Sequence, residues 1–377
     1  MRNIGGTKYS DHDDLKSKEL TIIVSNDMTG HRIQYLVAFF NRVSKSDRRI
    51  VLVLVSKIES NLSEPQILAM KEVDFDFIDD CGSSSQALTT VHAITAKIHV
   101  SEILFWDADN WIASLLTFRL KSRLLFMRPY LSDKSAKKIS IFLLKWSAIF
   151  FFHFVRRFEI GILGVPYHAP KLLPSLWVDD ALLISPATVT TTGESNGSKS
   201  FLTIPPDTRV VLVPGFISLR KNPGLVIEAM ETVTRSVNGN VWLIFAGKSD
   251  LNCVNLINGY GKAYVKHFDR YLSDAEYRHL FLVADVVVLP YSNRGSSGIT
   301  IESLAYGKHV IRTDSRLWAG AAGKTNGLLR LCSLNTISIA NAIVHTLNEK
   351  ESLAPVYLAG IARPTVIDFI QSSSTGK

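Results

Sequence analysis

Two stretches in the C-terminal half combine cations, glycines and a carboxylate at spacings that suit an anionic, hydroxyl-bearing ligand. In the first, Val210–Met230, an apolar run stops at Gly215, a loop carries Arg220 and Lys221, and Asn222 and Pro223 supply a cap and a first-turn proline for a helix. Apolar residues at Leu225, Val226, Ala229, Met230 and Val233 form the stripe by which that helix packs on a sheet. Arg220 and Lys221 then stand outside the carboxyl end of a strand, placed to hold a diphosphate by charge-assisted hydrogen bonds. In the second, Val286–Ile311, a run stops at Pro290 and a Ser/Asn/Gly loop leads into a helix beginning near Ser297 and Gly298. Unpaired amides on Gly298, Ile299 and Thr300 would face an anion there, and Gly298 lets a phosphate come close. Glu302, one turn further on, only accepts hydrogen bonds when ionised, which suits the paired hydroxyls of a ribose. Taken singly, the basic pair also reads as a solvated loop and Glu302 as an exposed helical carboxylate. Two anion sites ending adjacent strands, followed by a diol acceptor, together describe a nucleoside diphosphate.

Short Val- and Ile-rich runs alternate with helical periodicity through both halves, the pattern of parallel sheets covered on both faces. Strands are expected at Leu20–Ser25, Ile50–Val55, Phe75–Ile78, Ile103–Trp106, Leu124–Met127 and Ile160–Leu163. A second set is expected at Val210–Pro214, Val241–Ala246, Ala263–Lys266, Val286–Pro290 and Val310–Thr313. The fold class is therefore α/β with two doubly wound units, which 377 residues, 46% hydrophobic and 20% charged, are enough to build. Polar composition without apolar periodicity marks 185–204 as a linker between a unit at 20–184 and one at 205–350. Residues 1–19 read as a polar extension, and 351–377 as a tail that can return to the N-terminal unit.

Several function classes drop out. Cys81, Cys253 and Cys332 are far apart and form no CxxC pair, so neither a disulfide framework nor a zinc site is expected and a reducing compartment fits. The first 20 residues lack the apolar core of a secretory signal, which adds to a cytoplasmic expectation. Gly323, Lys324 and Thr325 mimic the end of a phosphate-binding P-loop, but Trp318 stands where that motif needs glycine. No GxGxxG follows the first strand, which removes a nicotinamide-dependent dehydrogenase.

On these residues the chain resembles the retaining GT-B glycosyltransferases of the group 1 type, over roughly residues 208–347. The likeness runs through the loop from Gly215 to Asn222, Trp242–Gly247, Leu272–Glu276, Ala284–Pro290, Glu302–Ile311 and Asn326 with Gly327. It implies two Rossmann-like domains facing a central cleft, with a UDP- or GDP-linked sugar as co-substrate on the C-terminal domain, no metal and no other cofactor. Lys221 would hold the diphosphate, Glu302 the ribose, and the amides of Gly298, Ile299 and Thr300 a phosphate, with Gly215 and Gly247 beside the donor. Two positions depart from the family pattern. Arg294 stands where members carry the first glutamate of a Glu-x7-Glu motif, among the donor contacts, and Phe216 stands where many carry an arginine whose role Arg220 is placed to take. In the N-terminal half only the pattern matches. There the loop Asn26–Arg32 offers Gly30 and His31, and Asp107, Asp109 and Arg128 follow the fourth and fifth strands as acceptor-side candidates, with turn and cap roles as their alternative. The implied chemistry is metal-independent transfer of a hexosyl-type sugar to an acceptor hydroxyl with retention, in cell-surface glycan or polysaccharide biosynthesis. A noncatalytic GT-B subunit that binds a sugar nucleotide or glycan is the alternative that Arg294 motivates; a nucleotide-sugar epimerase is another.

The formal charge of +8 is concentrated. Between Arg119 and Glu159 ten basic residues face two acids, so this window carries the whole net charge. Inside it, Ile139–Phe154 is a strongly apolar run interrupted by Lys145, short for a spanning helix, which needs roughly 20 residues. It is expected to lie in an anionic membrane surface, making the protein peripheral on the cytoplasmic face with a glycan or lipid-linked acceptor; a buried core helix is the alternative. No nucleic-acid module accompanies the patch, so nucleic acid is not an expected partner.

Overall fold

The computed structural model describes residues 2–3, 19–26, 48–56, 74–78, 80–127, 136–164, 173–179, 194–292, 297–313, 317–349, 366 and 369. The chain divides into two compact units, one of residues 1–164, 170–180 and 362–377 and one of residues 165–169 and 181–361.

The N-terminal unit is built on eight parallel strands: β1 Arg2–Asn3, β2 Glu19–Ser25, β3 Arg48–Leu54, β4 Asp74–Ile78, β5 Glu102–Phe105, β6 Arg123–Phe126, β7 Glu159–Gly164 and β8 Trp177–Asp179. Their order is β1-β4-β3-β2-β5-β6-β7-β8, with Ile22 opposite Val51 on one side and Ile103 on the other. Chain order reverses at β2 and β5, which makes their carboxyl ends the switch point of this sheet. Among the described residues the helices are α1 Ser84–Thr95, α2 Ile112–Thr117 and α3 Ala136–Phe150, the last continuing as a π-turn over Phe151–Val155. Trp111, Phe105 and Phe118 fill the core with edge-to-face ring contacts at 5.3–5.5 Å.

The C-terminal unit has six parallel strands: β9 Arg209–Pro214, β10 Val241–Ala246, β11 Val265–Phe268, β12 Val286–Leu289, β13 His309–Thr313 and β14 Leu329–Cys332, ordered β11-β10-β9-β12-β13-β14. Its helices among the described residues are α4 Glu194–Phe201, α5 Pro223–Ser236, α6 Leu251–Gly259, α7 Asp274–Val283, α8 Gly298–Ala305, α9 Ala319–Ala322 and α10 Thr336–Asn348. Here the reversal falls between β9 and β12, which pair through Val211 with Val286 and Leu212 with Val287. Two parallel-sheet α/β units thus match the expected fold class, because strands buried on both faces read as continuous apolar runs.

The differences from expectation are local. β1, β8 and β14 were not anticipated, being two to four residues long without a sustained apolar run. β11 starts two residues late, at Val265. The stretch read as a linker holds α4, whose Ser198 hydroxyl meets His279 Nδ1 at 2.8 Å while the Phe201 ring lies 4.4 Å from the His279 ring. Helix formation there depends on packing against α7, which composition does not encode.

The apolar run over α3 and the π-turn is buried on one side and exposed on the other. Ala148, Ile149 and Phe152 are buried, Lys145 pairs with Asp109 at 2.8 Å and the Trp146 ring lies 6.2 Å from Trp177. Outward, Leu143, Leu144, Phe154 and Val155 are 58–66% exposed.

The end of the chain contributes to the N-terminal core. Val366 and Phe369 are buried, and Arg123 donates to the Phe369 carbonyl while its guanidinium sits 4.5 Å over the Phe369 ring. Arg123 also pairs with Glu102 at 2.8 Å and Glu159 at 3.0 Å. Any side chain at Gly161 would stand 2.9 Å from the Phe369 ring, so glycine is required there. Phe369→Ala removes a large ring from a filled site and should destabilise the protein by about 3 kcal/mol. Denaturant unfolding of the full chain checks this; a midpoint within error of the parent would show that the tail adds no stability.

Candidate functional site

The loops that leave β9 and β12 at the switch point are held together by three unusual backbone positions. Gly215 follows β9 with φ +80, and a Cβ there would lie 2.7 Å from Ile299 Cδ1 and 3.3 Å from Lys221 Nζ. The first loop and the start of α8 therefore converge on one glycine. Gly247, at the end of β10 with φ +137, has the same constraint from its neighbour, since a Cβ would meet the Gly215 carbonyl at 2.7 Å. Asn222 has φ +43, a left-handed conformation that asparagine tolerates. Its side chain does not cap α5 as the sequence suggests. Instead Nδ2 donates to the Pro290 carbonyl at 2.7 Å and the Arg220 carbonyl at 3.2 Å, tying the loop after β9 to the end of β12. The Ser292 amide donates to the same Arg220 carbonyl at 3.0 Å.

This arrangement buries Lys221. It is 1% exposed, and its Nζ donates to the Pro214 carbonyl. Burial, and after it the adjacent Arg220 charge, pulls its ammonium down from 10.5 to about 7. Arg220 stays near the surface, its guanidinium 6.0 Å from the Tyr291 ring.

Helix α8 starts at Gly298 behind the N-cap Ser297, whose hydroxyl accepts from the Thr300 amide. This corrects the expected trio of unpaired amides. Thr300 is capped within the protein, and only Gly298 and Ile299 remain first-turn amides for a ligand. The Thr300 side chain is also engaged, accepting from Arg312 at 3.0 Å. Arg312, at the end of β13, is 2% exposed between the rings of Tyr291 at 5.0 Å and Trp318 at 4.7 Å. Burial lowers its guanidinium to about 10, so it stays charged at neutral pH. The site thus holds a second buried cation that the sequence reading missed. An arginine inside an otherwise apolar strand was the available signal.

Glu302 lies on α8 one turn beyond the start, and the Tyr277 hydroxyl donates to its Oε2 at 3.2 Å. Burial, then the Glu302 charge, raises the Tyr277 phenol well above 10, so it remains a donor. Tyr277 packs edge-on to Phe281 at 4.9 Å, and Phe281 stacks on Tyr306 at 5.2 Å. These contacts fix the carboxylate that was expected to meet a ribose.

In the N-terminal unit, Asp107 and Asp109 follow β5 at the switch point, but both carboxylates have internal partners. Asp107 is buried and accepts from Asn110 at 2.8 Å and the Trp111 indole at 3.0 Å. Asp109 accepts from the Met127 amide at 2.6 Å and from Lys145. Their turn-forming reading therefore has direct contacts behind it. Gly30, His31, Arg128 and Arg294 lie outside the described residues.

Residues 196–355 match the family described as Glycosyl transferases group 1. A sequence comparison with curated proteins finds no match. Among solved structures, the chain is similar to a glycosyltransferase from Rickettsia africae, with TM-score 0.59 and 15% identity over 87% of this chain and 88% of that one. It is also similar to sucrose-phosphate synthase from Thermosynechococcus elongatus, with TM-score 0.61 and 14% identity over 88% and 90%. A third is Anabaena HepE in complex with UDP and glucose, with TM-score 0.60 and 14% identity over 88% and 90%. The C-terminal unit carries a glycosyl transferases group 1 domain, and the two parallel-sheet units have the fold of GT-B glycosyltransferase structures.

The lowered Lys221 ammonium produces two pH trends of opposite sign. Above pH 7 the free lysine is neutral and must take up a proton to meet a diphosphate, so nucleotide affinity should fall by up to tenfold per pH unit from about 7 to 9. Over the same range the unfolded chain binds a proton that the folded chain does not, so Lys221 makes stability rise with pH. Titration calorimetry and thermal unfolding from pH 6 to 9 test both, with Lys221→Met as the control that removes both slopes. Parent and variant with the same pH profile would show that Lys221 does not titrate in this range.

Proposed function

We propose, on the premise that residues 196–355 form a glycosyl transferases group 1 domain, that this protein transfers a sugar from a nucleoside-diphosphate donor to an acceptor hydroxyl. The carrying observation is the convergence of Lys221 and the first turn of α8 on Gly215 at the switch point, with Glu302 one turn away. A diphosphate between them meets a cation and the amides of Gly298 and Ile299, while Glu302, oriented by Tyr277, accepts from the ribose hydroxyls. The bound form of HepE named above, with UDP and glucose, supports a donor of the UDP-sugar class, with GDP-sugars as the other class to test.

As the bond from the sugar to the β-phosphate breaks, negative charge grows on the leaving phosphate. Lys221 and Arg220 stabilise it electrostatically, together with the α8 amides, and because these groups are held in place beforehand they cost little reorganisation. The reading assigns the charge stabilisation to these side chains and amides, with no metal in the mechanism. It also takes transfer to proceed with retention, the departing phosphate oxygen helping to deprotonate the acceptor on the same face. The sugar is of the hexosyl type, and the acceptor is a growing cell-surface glycan, lipid-linked or free.

Screening UDP- and GDP-sugars for protection against thermal unfolding identifies the donor, because a ligand at 100 times its dissociation constant adds about 2.7 kcal/mol. With that donor, Lys221→Ala should lose about 3 kcal/mol of transition-state stabilisation, roughly a hundredfold in turnover. Glu302→Gln keeps the shape but weakens acceptance, and should lose roughly 1.5–3 kcal/mol of nucleotide affinity with the fold intact. Lys221→Ala with parental turnover sinks the diphosphate assignment, and Glu302→Gln with parental nucleotide affinity sinks the ribose assignment. Nucleotide binding without transfer to any glycan or lipid-linked acceptor would favour the noncatalytic subunit.

A further inference from the structure

We propose that the outer side of α3 and the basic pocket at its carboxyl end form a docking surface for a bilayer containing anionic lipid. Helical structure runs for 20 residues over Ala136–Val155, long and apolar enough to cross a membrane, yet only 22% of its most apolar window is buried. The buried part is committed to the protein. Ile149 and Phe152 are in the core, Lys145 is paired with Asp109, and Trp146 packs by Trp177. A spanning arrangement would have to pull these groups out of the fold. The helix is therefore placed to lie along a membrane with Leu143, Leu144, Phe154 and Val155 facing the lipid, inserted to about the headgroup and acyl boundary.

Charge complementarity specifies the occupant. Directly after the helix, Arg156 and Arg157 join Arg119 and Lys121 around Phe158 to line an open cavity of about 590 Å³. Arg156 is anchored there by donating to the Phe118 carbonyl, and Arg119, Lys121 and Arg157 are exposed. Lys137 and Lys138 are exposed at the other end of α3. Among the described residues from Arg119 to Glu159, Glu159 is the one acid, and it is paired with Arg123. An apolar strip between two clusters of cations matches acyl chains bordered by anionic phosphates. A second protein copy presenting the same strip would bring like charges together at both ends if the copies packed with the strips parallel.

The inference is independent of the donor site, and it adds a partner that would hold a lipid-linked acceptor in the same plane as the enzyme. The test uses full-length protein and vesicles of phosphatidylcholine alone or with phosphatidylglycerol at about 30%. The parent should co-sediment with the mixed vesicles at low salt and be largely released at high salt, because the cationic groups are exposed and screened. Arg119→Glu with Lys121→Glu should weaken partitioning at least tenfold, on the order expected for reversing two charges near an anionic surface. Leu143→Glu with Leu144→Glu should abolish it. Both pairs lie on the exposed surface, so nucleotide protection and melting temperature should stay parental. Failure of the parent to bind mixed vesicles at low salt overturns the proposal, as does equal binding to both vesicle types. So does a vesicle-free dimer that the Leu143/Leu144 variant dissolves, since a second copy would then be the occupant.

Discussion

A lysine ammonium held almost wholly out of water at the reversal point of a parallel sheet is the constraint around which the C-terminal unit is organised. Burying a charge is costly unless it is paired, and among the described residues Lys221 has one backbone carbonyl, that of Pro214, as its acceptor, together with a pKa depressed to about 7. That cost is sustained by neighbours that leave no alternative. Gly215 and Gly247 are glycines because a Cβ at either would strike the adjoining loop. Asn222 accepts a left-handed backbone so that its amide can bridge to Pro290. Arg312 is fixed between two rings and ties α8 down through Thr300. Together they leave a cation, two helix-start amides and an oriented carboxylate on one edge, held in place beforehand as the proposed donor site requires.

Much of this was legible because parallel strands buried on both faces cannot hide. Runs such as Val210–Pro214 and Val286–Leu289 have no reading other than a buried strand in an alternating α/β pattern, and the loops that follow them must then sit at carboxyl ends. What the sequence could not deliver is directional chemistry. Asn222 looks like an N-cap in sequence, but cap geometry needs an extended backbone and here the backbone is left-handed. Thr300 looks like an available amide until Ser297 is seen to accept from it. Tyr277 and Arg312 are 25 and 10 positions from Glu302, and only folding brings them beside α8. Short elements failed for a related reason. β8 and β14 are strands because their neighbours are, and α4 is a helix because α7 is beside it.

The N-terminal unit spends its polar groups differently. Asp107, Asp109 and Arg123 carry chemistry-bearing side chains, and each is absorbed in holding a turn, a helix or the chain end. Lys145 is the clearest case. It interrupts an apolar run in sequence, but its partner Asp109 lets the amine sit against the core while the rest of α3 shows apolar groups outward. A charge that looked like evidence against burial is what fastens one side of the helix and leaves the other uncovered.

The two units therefore use cations in two electrostatic regimes. Lys221 and Arg312 act at contact distance in a desolvated environment, where dissolved ions barely screen them. The cations around Phe158 are mostly exposed and act over a distance that salt shortens to roughly 8 Å at physiological strength. Ionic strength thus acts differently on the two sets of cations. Raising it screens the surface patch while leaving the buried pair nearly untouched, so under the proposed membrane docking and donor binding, salt that releases the protein from a membrane need not release a nucleotide.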